Sequence, residues 1–160
     1  MSDLQRFVQA QDEGGQFDEA LREIASGRKR GHWIWYVFPQ IAGLGTSSMS
    51  RMYAIRDRDE ADAYLQHPVL FPRLLTMTSA AAEQVRKGVP IEILMGSPID
   101  ATKLVSSMTL FRGVATRLHQ TTGDERFDTF ARLADEILAA GSRQGYPPCQ
   151  ESLAIERERA

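Results

Sequence analysis

The sequence predicts an all-α, single-domain protein, an irregular bundle of about six to eight helices. Three observations carry this. Apolar residues recur at three- and four-residue steps in four long stretches. Glycines stand just past several of those stretches, where helices stop. Only one short segment has the composition of a strand, and a single strand has no partner.

The elements follow in chain order. A short helix is expected over residues 4–11. Residues 17–25 read as a helix stopped by Gly27. Residues 33–38, Trp33-Ile34-Trp35-Tyr36-Val37-Phe38, favour a strand by local propensity. Without a partner they are expected to form a buried helical turn or two ending at Pro39. Short helices are expected at 48–55 and 59–66. Leu70, Leu74, Met77, Ala81 and Val85 mark a longer helix, with Pro68 at its first position, a bend at Pro72 and Gly88 past its end. Residues 90–95 give one more turn or two. Ala101, Leu104, Val105, Met108, Phe111, Ala115 and Leu118 form the next stripe, with Asp100 as the expected N-cap. Phe127, Phe130, Ala134 and Ile137 form the last, opening near Asp124 and closing before Gly141.

One domain is expected over residues 1–141 of the 160, followed by a loosely held tail over 142–160 that is rich in Gly, Pro and charge. A chain of this length buries about 70% of its unfolded surface and needs no staples. The formal net charge of −2 gives no global pull toward nucleic acid or anionic membrane, which disfavours an RNA binder. The single cysteine, Cys149, excludes an internal disulfide and a cysteine-based metal cage. Met1-Ser2-Asp3-Leu4-Gln5 lacks the basic and apolar regions of a signal peptide, and no apolar run approaches the ~20 residues of a membrane span. A reducing cytoplasm is therefore expected. His32, His67 and His119 are far apart, so no metal site is expected, and no cofactor motif is present.

Two stretches carry candidate chemistry. In residues 28–48, Arg28, Lys29 and Arg30 precede His32, Trp33 and Trp35, and a glycine- and hydroxyl-rich loop with Gln40 and Ser47 leads into a helix. Cations, an imidazole and loop amides are the parts of an anion site, and aromatic faces stack on flat rings. His32 is the candidate acid–base group. The bland alternative is a solvated basic turn followed by core aromatics. In residues 96–111, Lys103 shares a helix face with Ser106 and Ser107, three and four positions on. A lysine beside two hydroxyls suits phosphate or carboxylate. The expectation is a small-molecule-binding protein, either an enzyme or a binder, for an anionic phosphorylated or nucleotide-like ligand. The alternative is a non-enzymatic helical interaction module, and a homo-oligomer stays open.

These residues also resemble a known family. Arg6-Phe7-Val8-x-Ala10-Gln11, Gly27-Arg28-Lys29-Arg30-x-His32-Trp33-x-Trp35 and Phe38-Pro39-Gln40-Ile41-x-Gly43-Leu44-Gly45 match its pattern. So do Tyr53-Ala54-Ile55, Glu60-Ala61-x-Ala63-Tyr64-Leu65-x-His67-Pro68 and Lys103-Leu104-x-Ser106-Ser107-Met108-Thr109-Leu110-Phe111. The sequence resembles the bacterial family called domain of unknown function 1810, over about residues 4–118. The resemblance implies an all-α fold and no reaction. Some members carry the label calpastatin, which does not transfer, because nothing here resembles a disordered inhibitor segment. The chain departs from the family's pattern at Phe71-Pro72, where members usually have glycine, and in the segment after Gly141.

Overall fold

A computed structural model describes residues 3–157. Residues 1–2 and 158–160 lie outside the described residues, and with them the first two residues of the leader reading and the last three of the tail. The fold is all-α. In order, the helices are α1 (Gln5–Asp12), α2 (Gln16–Ala25), α3 (Ile34–Val37), α4 (Ser48–Met52), α5 (Arg58–Gln66), α6 (Leu70–Arg86), α7 (Ile91–Met95), α8 (Pro98–Thr122), α9 (Glu125–Arg143) and α10 (Gln150–Arg157). A 3-10 turn, Glu13–Gly15, links α1 to α2.

Helix α8 is the axis of the bundle. Residues 104–111 along it are all buried, so it is enclosed on every side there. α9 packs along it, α6 packs on α9, and α5, α7 and α10 lie against its other faces. Phe111 of α8 meets Tyr64 of α5 at 5.0 Å between ring centroids, and Phe7 of α1 meets the same tyrosine edge-on at 5.2 Å. Phe71 of α6 stacks on Phe127 of α9 at 4.9 Å. Each such ring, fully buried, contributes roughly 1.5–3 kcal/mol.

Residues 33–38 form one helical turn, α3, as the missing strand partner required. The extended pairing among the described residues is one parallel bridge, Ile41 to Ile55. Its Ala42 N–H donates to Ile55 O and its Ile55 N–H to Gln40 O, both at 2.8 Å. This bridge fixes Gln40 relative to the core.

Several helix ends differ from expectation. Ser97, not Asp100, caps α8. Its hydroxyl accepts from the Asp100 N–H at 3.1 Å, and Asp100 lies in the first turn. Pro68 lies ahead of α6, whose N-cap position is Val69. The His67 Nδ1 accepts from Val69 N and Leu70 N at 3.1 and 3.2 Å. Pro72 falls in the first turn of α6, where no backbone donor is needed, so the helix runs on. α4 stops at Met52, short of residue 55, because Ile55 pairs with the 40–42 loop. α9 runs through Gly141 to Arg143. Glycine is there for closeness: a Cβ would stand 3.1 Å from both Tyr146 O and Val105 Cγ2. No helix among the described residues is long and apolar enough to cross a membrane.

Candidate functional site

The basic turn is built on a buried carboxylate. Glu23 Oε1, at the end of α2, accepts from Arg30 N at 2.7 Å, Gly31 N at 2.9 Å and the Trp33 indole N–H at 2.9 Å. Burial pushes the Glu23 carboxyl up, but these three donors outweigh it and hold it below its ordinary value. The turn is also tied to α8. Lys29 Nζ meets Asp100 Oδ2 at 2.8 Å, and Lys29 N donates to Leu94 O at 2.7 Å. Lys29 and Trp33 are thus consumed by the fold, since both are buried and partnered. Arg28, Arg30 and His32 stay exposed on the turn.

The two sequence stretches do meet. Lys103 Nζ sits 5.1 Å from the Trp35 ring centroid, and Asp100 lies 3.8 Å from the same ammonium. The two serines beyond Lys103 are buried. Ser106 Oγ faces Ser152 Oγ of α10 at 3.4 Å. Ser107 Oγ and the Trp35 indole nitrogen are buried without a hydrogen-bond partner among the described residues. Ser47 is exposed and caps α4, accepting from Ser50 N at 3.1 Å.

Beside this junction lies a cleft of about 480 Å³. Three segments wall it: Gln40 and Leu44 from the loop after α3, Thr102, Val105 and Ser106 from α8, and residues 145–151. The volume is that of small-ligand sites. Gln40 is positioned through its backbone by Ile55, while its side-chain amide makes no hydrogen bond to a described residue. Glu151 is the charged residue in the lining, and Lys103 adjoins it in the chain through Thr102. Gln40 and Ser106 are therefore the sequence-predicted residues that line the cleft. Arg28, Arg30 and His32 do not line it.

Sequence reasoning missed the wall formed by residues 145–151. Tyr146 is held there twice: its N–H donates to Gly141 O at 2.7 Å and its hydroxyl to Glu92 Oε1 at 2.5 Å. Cys149, read from sequence as a thiol near a loose end, lies in the cleft wall, its N–H donating to Thr109 Oγ1 at 3.2 Å. The available signal was an aromatic followed by two prolines between helical stretches, which needs a fixed seat more than a flexible linker does. Among the described residues no three His, Cys, Asp or Glu side chains cluster as a metal would require.

The crystal structure of the conserved hypothetical protein Rv1873 from Mycobacterium tuberculosis is similar throughout. Its TM-score is 0.72 at 34% identity, over 98% of each chain. No curated protein matches the chain. The model of the family described as protein of unknown function, DUF1810, matches residues 1–133, and this chain belongs to that family.

Proposed function

We propose that this protein binds a nucleotide-like small molecule in the cleft between the 40–44 loop, α8 and residues 145–151. The observation that carries the reading is the Gln40 side chain, an amide without a hydrogen-bond partner among the described residues, set in a cleft of ligand size by a backbone that the Ile41–Ile55 bridge holds in place. An amide offers both a donor and an acceptor, which suits the edge of a base. Leu44, Val105, Pro147 and Pro148 supply apolar surface for a flat ring. Glu151 is an acceptor suited to ribose hydroxyls. The lining itself carries an anionic group and no cation, so a phosphate would lie outside it. His32 has no place in this arrangement unless the basic turn touches a second part of the ligand.

Thermal shifts with a panel of nucleosides, nucleotides, nucleotide sugars and phosphorylated metabolites test it. A compound at a hundredfold its Kd adds roughly 2.7 kcal/mol of stability. The shift is expected to vanish in Gln40→Ala and to persist in His32→Ala. Silence across the panel removes the reading.

A second reading, an interaction module, is favoured by one feature. An open groove of about 530 Å³ between α2, α6 and α9 has Leu21, Leu75, Ala80 and Leu133 in its walls. An amphipathic helix fits such a groove. It predicts an apolar helical partner and no response to nucleotides.

A further inference from the structure

We infer that the cleft takes a nucleoside in preference to its phosphate, because its walls accept hydrogen bonds and have few to give. The inference deepens the proposed function and rests on the cleft being the ligand site.

A phosphate is an acceptor throughout, so its sites supply N–H groups and cations. The wall at residues 145–149 supplies neither. Gly145 N–H is spent on Ser142 O at 3.3 Å, Tyr146 N–H on Gly141 O at 2.7 Å and Cys149 N–H on Thr109 Oγ1 at 3.2 Å. Pro147 and Pro148 have no N–H to offer. The hydroxyl protons of the lining are turned away as well. Thr102 donates to Pro98 O at 3.0 Å, and Tyr146 donates to Glu92 Oε1 at 2.5 Å. Ser152 Oγ donates to Ser106 O at 3.3 Å, which leaves the Ser106 proton to bridge the 3.4 Å to Ser152 Oγ. These hydroxyls therefore present lone pairs to the cleft.

Charge points the same way. The Cys149 thiol reaches Glu151 Oε2 at 3.4 Å and holds that carboxylate in the wall. Glu92 adds a second carboxylate behind Tyr146. Helix α10 opens at Gln150, and Glu151 in its first turn already supplies the anion that a helix N-terminus favours. Lys103 follows Thr102 in the chain, yet its ammonium is engaged by Asp100 at 3.8 Å and by the Trp35 ring at 5.1 Å. A nucleoside complements such walls, since its ribose hydroxyls and base N–H groups are donors. The Gln40 amide supplies a donor for an acceptor on the base edge. A monophosphate still enters, with its phosphate outside and beside carboxylates, and binds more weakly.

Isothermal titration calorimetry with adenosine, guanosine, cytidine and uridine, and with their 5′-monophosphates, tests this. At low salt the wild type is expected to bind the best nucleoside about threefold to tenfold more tightly than its monophosphate, the scale of one or two exposed charge contacts. Raised salt is expected to narrow that ratio by strengthening the monophosphate, whereas a cationic phosphate site weakens with salt. Glu151→Gln is expected to narrow it too, and Lys103→Met to leave it unchanged. A monophosphate that binds more tightly than its nucleoside overturns the inference and leaves the cleft reading standing. So does a ratio that neither salt nor Glu151→Gln moves. Failure of both series to bind removes the cleft reading and this inference with it.

Discussion

Lys103 Nζ stands 5.1 Å from the ring centroid of Trp35. That contact joins the aromatic run after the basic turn to the polar face of α8. It is a cation–π contact at a partly exposed site, where such pairs contribute about 0.5–1 kcal/mol. A double-mutant cycle of Trp35→Leu and Lys103→Met, read by urea unfolding, is expected to return a coupling of about that size. Additive losses would mean the two side chains are merely neighbours.

Glu23 organises the basic turn by accepting three hydrogen bonds on one oxygen. Glu23→Ala orphans all three donors, each costing about 1–3 kcal/mol when left unsatisfied. A loss of about 3 kcal/mol or more is expected, with changed fluorescence from Trp33. Glu23→Gln keeps an acceptor and is expected to lose less. Equal losses in the two variants would contradict the account.

Acid should find the same groups. Glu60 is buried, which pushes its carboxyl up, yet Arg6, the Arg56 N–H and the Arg56 guanidinium together hold it below its ordinary value. Glu23 is lowered likewise. A carboxyl depressed in the folded state stabilises above its unfolded pKa, about 4.3 for glutamate, and that stability is lost as pH falls through the folded value. Stability measured by urea is expected to decline steeply below about pH 4.5. Glu60→Gln is expected to be less stable at neutral pH and to show a shallower decline. An unchanged slope in that variant would remove Glu60 from the acid response.

Gly96 lets the basic turn approach α7. Its φ is +83°, and a Cβ would stand 2.8 Å from Lys29 O. Gly96→Ala meets both a left-handed backbone and a backbone clash, and should cost about 2 kcal/mol or more. A loss below about 0.5 kcal/mol, the scale of an ordinary surface change, would show that the turn adapts.

Helix positions were legible because burial repeats at helical spacing, as along 70–85 and 101–118. Helix ends were less so. The choice between Ser97 and Asp100 as cap depends on backbone angles that both residue types accept. Gly141 was misjudged because a glycine admitting Tyr146 O reads the same as one ending a helix. Of the residues singled out in the sequence, Trp35 meets Lys103, and Gln40 and Ser106 line one cleft, because the loop after α3 packs against α8. Lys29 and Trp33 could not be separated from Arg28 and Trp35 without knowing that Glu23 turns inward. The 145–151 wall lies far along the chain from both stretches, and only tertiary packing brings it there.

The most direct test of the cleft is an amide NMR titration of the wild-type protein with the monophosphates of the four RNA nucleosides. The account predicts saturable shifts of the Gln40 side-chain amide and of the Val105, Ser106 and Glu151 backbone amides. Spectra that do not change, or changes confined to the Arg28–His32 turn, would contradict it.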